Sequence, residues 1–262
     1  MKYLNILNNF TGFSTHISIN NFIHHYIGVH MLKRKNRFAS LLVLLGLAVS
    51  SGFAQMSTGA DIYSRYIWRG ISLDPSNAIS FQPSLSYTSG DFSVGAWGAY
   101  SSIGTYAEDD IWLSYAFGPV TATVTDYYIP SYLPAGSTFF NYNTAKGAGS
   151  HTVEVGLGYS GDETFPLSLS AYINVIGGFN DPDNSVYIQA GYPIMSDLDL
   201  TVGVSPSKST VWYVTSKAAL LNVGLSTSKT LKVTDSFSIP FNAQYIMNPY
   251  TESAYLIFGM SL

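Results

Sequence analysis

Two arginines stand in the stretch SRYIWRG, residues 64 to 70, of a chain in which only 11% of residues are charged. A guanidinium stays protonated and matches a carboxylate with paired hydrogen bonds. Arg65 and Arg69 therefore point to charge pairing with acids such as Asp61, Glu154 or Asp110, not to proton transfer. Proton chemistry near neutral pH would need a histidine beside a serine or an acid. His16, His24, His25 and His30 all lie near the start, and only His151 stands further along, with no nucleophile motif around it. It reads as a loop-edge histidine, and the chain reads as a non-enzyme. The oxygen-rich stretches Glu108–Asp110 and Asn180–Asn184 fall short of the six or more oxygens calcium takes, and Asp-Pro-Asp-Asn is a turn sequence. No cofactor and no metal site is expected.

Composition sets the elements that must position these groups. The chain has 262 residues, 47% hydrophobic and 15% aromatic, with 23 glycines and no cysteine. Tyr, Ser, Thr, Val and Gly dominate, which favours strands over helices. Met31 opens a stretch in which Lys33, Arg34, Lys35 and Arg37 precede an apolar run to Val49 and a small-residue ending at Ala54. That is the pattern of a secretory signal peptide over 31–54, and its apolar run is too short to span a bilayer. Residues 1–30 read as an upstream extension outside the fold. From Gln55 onward sixteen acidic residues face seven basic ones, a formal charge of −9. That balance speaks against nucleic-acid binding.

The segment 55–262 alternates with a period of two. In Ile79–Tyr87, Ile79, Phe81, Pro83, Leu85 and Tyr87 share one face while Ser80, Gln82, Ser84 and Ser86 share the other. Such segments recur near 59–69, 78–88, 92–101, 109–117, 120–130, 151–159, 167–176, 185–192, 198–206, 217–226, 236–247 and 254–262. Each approaches the roughly 9–11 residues with which a tilted strand crosses a bilayer. Short connections such as TSGD and GP alternate with longer polar ones. The polar face carries Ser, Thr, Gly, Asn and Gln in place of the charges of a soluble surface. Together these features predict an all-β fold, a transmembrane antiparallel up-and-down β-barrel of about twelve strands.

Facing follows from the same period. Tyr87, Phe117, Tyr159 and Tyr192 end even-numbered segments, and Phe92 and Phe237 start segments that return, so these aromatics are expected at one height as an interfacial girdle. In segment one, Tyr66 and Trp68 fall on the lipid side and join that girdle, while Asp61, Arg65 and Arg69 fall on the other. An arginine facing lipid at mid-membrane costs roughly 2–4 kcal/mol, so Arg65 and Arg69 belong inside. Asp110, alternating against Ile111 and Leu113, Glu154, between Val153 and Val155, and Asp199, between Leu198 and Leu200, also point inward, making a lumen charge network. Asp126 breaks the Val120-Ala122-Val124 register, which predicts a bulge or an exit from the bilayer.

SRYIWRGISL near the start of the barrel segment, followed by ISFQPSLSYTSG and FSVGAWGAYSS, resembles the TorF-like porin family of Gram-negative outer-membrane proteins, most clearly over residues 59–101. The resemblance implies an outer-membrane barrel with a pore. One departure stands at the end: the closing strand finishes on Leu262, where outer-membrane barrels carry an aromatic residue read by the barrel-assembly machinery. Besides that machinery, the expected partners are outer-membrane lipids and lipopolysaccharide, with a monomer as the default state. A porin-like channel for ions or small polar solutes is the expected function, with a sealed structural or adhesive barrel as the alternative. The loop 131–150 either folds into the lumen or extends outward.

Overall fold

The computed structural model describes residues 54–145, 148–177 and 181–262. The expected extension at 1–30 and the expected signal peptide up to residue 53 lie outside the described residues. Ala54, expected as the last leader residue, opens the first strand.

The strands are β1 (Ala54–Tyr63), β2 (Ile67–Trp68), β3 (Ile71–Ser72), β4 (Ser80–Ser89), β5 (Phe92–Ser101), β6 (Ala107–Phe117), β7 (Val120–Tyr128), β8 (His151–Tyr159), β9 (Ser168–Ile176), β10 (Val186–Met195), β11 (Leu198–Ser205), β12 (Ala219–Lys232), β13 (Ser238–Asn248) and β14 (Ser253–Ser261). All but β2 and β3 form one closed antiparallel barrel of twelve strands, in which each strand pairs with its neighbours in chain order and β1 joins β14. Closure leaves no free sheet edge. No α-helix occurs among the described residues, where the only helical turn is a 3-10 turn at Pro130–Tyr132.

The period of two sorts the side chains as it must in a closed sheet. In β6, Ile111, Leu113, Tyr115 and Phe117 are exposed on the outer wall, while Glu108 and Asp110 are buried inside. The same division puts Phe81 and Leu85 of β4 outside and Ser80 and Gln82 inside. Apolar residues thus clothe most of the outside, and the inner face mixes polar side chains with buried apolar and aromatic ones such as Tyr127, Tyr187 and Leu221. Short turns at Gly90-Asp91 and Gly118-Pro119 alternate with long loops, of which 64–79, 129–150 and 206–218 are the largest among the described residues. Both Gly90 and Gly118 have positive φ.

Three boundary expectations change. Segment one was expected to run to residue 69, but β1 stops at Tyr63, where Ser64 bonds to Phe258 through both its backbone N–H and its side-chain hydroxyl and the chain turns off the wall. The long connection expected after residue 226 is strand instead: β12 continues to Lys232 and pairs with β13 as far as Ser238. Asp126 causes no bulge, since β7 keeps its register with both neighbours through that position. Register shifts occur elsewhere, at Val153/Glu154, Pro193/Met195 and Gly203/Val204.

Inside the wall, aromatic rings lie across from glycines. Tyr63 is paired with Gly259, Tyr172 with Gly156 and Trp112 with Gly95. A Cβ on Gly259 would meet the Tyr63 ring at 2.2 Å, and one on Gly156 would meet Tyr172 at 2.5 Å. The ring covers the bare backbone and the glycine gives it room, a device that lets a barrel wall curve tightly. At the β1–β14 seam the device also guards closure. Gly259→Ala is expected to cost about 1–3 kcal/mol, the usual range for overpacking. Gly158→Ala, with no atom within 4 Å of its added methyl, should stay within about 0.5 kcal/mol. Urea unfolding of the refolded barrels measures both, and equal midpoints would discount the seam contact.

Candidate functional site in the barrel lumen

Having left the wall at Ser64, the chain makes a small hairpin, β2 pairing with β3 through Ile67↔Ser72 and Trp68↔Ile71. Its two-residue turn is Arg69-Gly70, with φ of 51° and 83°. Positive φ at both central residues is the type I′ turn that matches strand twist. Glycine takes that conformation freely, whereas arginine resists it by roughly 1–2 kcal/mol. The strain at Arg69 has to be held by contacts, and they are numerous.

Arg69 lies inside the barrel with its guanidinium forked onto Glu154 of β8: Nη1 donates to Oε2 at 2.6 Å and Nη2 to Oε1 at 2.9 Å. Nη1 also donates to the Tyr213 hydroxyl at 2.5 Å, and the Tyr127 hydroxyl donates to Glu154 Oε1 at 3.0 Å. The two side chains are 10% and 3% exposed. Aromatic faces surround the cation, with ring centroids of Trp68, Tyr172 and Tyr187 at 4.3, 4.2 and 4.7 Å. Rings stacked this way on a desolvated guanidinium attract it further.

The hairpin tip is seated as closely. A Cβ on Gly70 would come within 2.0 Å of the Leu221 carbonyl oxygen of β12, and the Asn248 side-chain amide of β13 donates to the Gly70 carbonyl at 3.1 Å. A second inward segment comes from the loop between β11 and β12. Its Trp212 and Tyr213 are buried, and Trp68 packs edge-on to Trp212 at 5.5 Å and stacks on Tyr213 at 5.7 Å. Hairpin and loop together make a plug across the lumen.

This arrangement corrects the girdle at two positions. Tyr66 and Trp68 do not face outward: Tyr66 is buried against Trp97 and Tyr106, each at 5.7 Å, and Trp68 belongs to the plug. The cause is the break after Tyr63, which carries both rings off the wall. Tyr87, Phe92, Phe117 and Tyr159 lie at or near strand ends beside short turns, on the outward side of the register; Tyr192, also outward, lies three residues inside the end of β10, and Phe237 is exposed in the β12–β13 turn.

The expected charge network is brought together only in part. Arg69 and Glu154 meet. Asp110 is buried on the same inner wall, across from Tyr127, without a basic partner among the described residues. Arg65 sits with its guanidinium carbon 5.5 Å from the Tyr255 ring centroid. Asp61, across from buried Gln82, and Asp199, at an exposed strand end beside the β10–β11 turn, join no ion pair among the described residues. The tyrosines that complete the Arg69 cage were not foreseen. The signal available was Arg-Gly between Ile67-Trp68 and Ile71-Ser72, a two-residue hairpin pattern hidden inside a continuous alternation.

Two further groups are placed by the loops. His151 falls on the outward side of β8, where its Nδ1 lies 2.9 Å from Asp126 Oδ1, the Tyr142 ring stacks on it at 3.8 Å, and its Nε2 faces the Phe139 carbonyl. Phe139 and Tyr142 therefore lie against the outer wall beside β7 and β8, while Tyr132, at the start of the same loop, packs edge-on to Tyr106 at 5.6 Å and donates its hydroxyl to the Leu73 carbonyl at the lumen mouth. Asp181 accepts from the Asn174 amide at 2.7 Å and from the Ser185 N–H and hydroxyl at 2.6 and 2.8 Å, so it organises a turn; Asn180 lies outside the described residues.

The stalk of the hairpin is tied to the neighbouring loop at Asp74. Burial pushes its carboxyl up, but the Ser76 hydroxyl and N–H, at 2.7 and 2.9 Å, and the Thr105 hydroxyl at 2.8 Å outweigh that and hold it at about 2. A lowered pKa contributes stability that is present above the ordinary value near 3.8 and lost as pH falls towards 2. The difference in urea midpoint between the wild type and Asp74→Asn should therefore shrink steadily across that window.

Removing one partner of the buried pair leaves the other charge stranded. Glu154→Ala is expected to cost about 3–5 kcal/mol, whereas Arg69→Met combined with Glu154→Leu should recover most of that loss. A double-mutant cycle by chemical unfolding measures the coupling, and additive single effects would show that the pair is not a unit. No protein-family model matches this chain and no curated protein matches it, so its function is read from the plugged lumen itself.

Proposed function

We propose that the chain is an outer-membrane β-barrel of a Gram-negative bacterium and acts as a narrow, plugged channel for ions or small polar solutes. Its apolar outer wall, polar interior and strands of 8 to 14 residues suit a bilayer-spanning barrel. Lipids and lipopolysaccharide are then its surroundings, and the barrel-assembly machinery inserts it.

The observation that carries the channel reading is how the β2–β3 hairpin divides the lumen. Ile67 and Arg69 face a polar cavity of about 220 Å³ that Gln189, Thr201, Asn222, Ser226 and Gln244 also line. Trp68 and Ile71 face a second cavity of about 330 Å³. A hairpin of two short strands, anchored at its tip by the Arg69–Glu154 pair, the Asn248 amide hydrogen bond and aromatic packing, separates two open spaces. Twelve-stranded barrels fall between small filled barrels and wide porins, so displacing this hairpin supports a narrow passage. A sealed structural barrel is the second reading, and the buried aromatic cluster around Arg69 favours it.

Single-channel recording in planar bilayers separates the two. The wild type should be mostly closed with brief openings, and Arg69→Ala should raise the open probability at least tenfold. A barrel that shows the folded-versus-boiled gel shift yet stays silent in both forms would establish the sealed reading.

A further inference from the structure

We infer that the cavity at the long-loop mouth is a binding site for a small amphipathic organic cation, a monoamine carrying an aromatic or branched aliphatic group. The cavity of about 330 Å³ is walled by Trp68 and Ile71 of the hairpin, Ile129 and Tyr132 of the loop after β7, and Trp212 of the second inward loop. Its size and apolar aromatic wall are those of a small-molecule pocket. Set into that wall is one acid, Glu108 of β6, which is 2% exposed.

Glu108 accepts a hydrogen bond from the Tyr106 hydroxyl at 2.8 Å and has no basic partner among the described residues. Arg69 cannot serve it, being forked onto Glu154. Asp110, two residues along the same inner face, is buried too, and its Oδ1 has no hydrogen-bond partner. The upper lumen is thus short of positive charge where it is most desolvated, and a buried acid without a counter-charge is costly. A ligand ammonium beside Glu108 supplies the missing charge, and indole faces attract cations as well.

Competing ligand classes fit less well. An anion meets the carboxylate. A divalent metal ion needs several oxygen ligands, and Glu108 is the only carboxylate lining the space among the described residues. A sugar needs many polar partners that this wall lacks. The site does not depend on whether the barrel conducts, so binding and conductance succeed or fail separately.

The test uses the full chain refolded into phosphatidylcholine vesicles, with protein-free vesicles as the blank for partitioning. Phenethylamine, its neutral analogue phenethyl alcohol and the anionic phenylacetate are titrated while tryptophan fluorescence is read, since Trp68 and Trp212 line the site. Phenethylamine should bind saturably, at least tenfold more tightly than the alcohol, and phenylacetate should not bind. Glu108→Gln should bring the amine down to the level of the alcohol. Val211→Trp, at an exposed position on the cavity rim, should block the amine while leaving the carboxylate in place, and it serves if Glu108→Gln does not fold. Equal binding of amine and alcohol by the wild type, or amine binding unchanged in a folded variant, would overturn the site.

Discussion

A guanidinium and a carboxylate buried against each other in the middle of a barrel constrain everything around them. Arg69 and Glu154 are both nearly inaccessible, and desolvating two charges costs several kcal/mol per ion unless geometry and hydrogen bonds compensate. The compensation is the forked contact, the hydroxyls of Tyr213 and Tyr127, and the aromatic faces around the cation. Each partner comes from a different part of the chain, so the pair ties a hairpin, two wall strands and a distant loop into one arrangement. The strained turn at Arg69 belongs to it, because only a positive-φ pair at Arg69-Gly70 lets the side chain leave the hairpin tip while Gly70 closes on Leu221.

The wall serves this interior. A twelve-stranded barrel encloses more space than its own side chains fill, and the surplus is occupied by chain that has left the sheet. The first loop and the loop after β11 turn inward and carry Trp68, Trp212 and Tyr213 with them. The loop after β7 divides: Ile129 and Tyr132 close over the lumen mouth, and Phe139 and Tyr142 dock outside on His151 and Asp126. Where large rings approach the wall from inside, glycines opposite them give way, as at Tyr63 and Tyr172.

Charge is distributed unevenly within that interior. The one arginine of the plug neutralises Glu154, leaving Glu108 and Asp110 on β6, two strands away, without a cation among the described residues. The polar space bordered by Arg69 and the apolar space bordered by Glu108 therefore differ in the solutes they suit.

Much of the wall was legible in the residues alone. Alternation with a period of two and the rhythm of short and long connections locate twelve barrel strands, several to within a residue, because a closed sheet with an apolar outside repeats one local rule along its length. Glu154 lies on the inner face of β8, as the alternation there reads, whereas Arg69 reaches the interior from a hairpin turn off the sheet and not from a strand face. The rule fails where the chain keeps alternating after it has left the sheet. Arg65 to Trp68 read as the end of a crossing, yet Tyr66 and Trp68 lie in the core. Local pattern records which residues share a face and does not record what that face meets. Which acid Arg69 finds, 85 residues away, and which rings enclose it were decided by the closing of the barrel around an inward hairpin, and only tertiary structure brings those distant segments together.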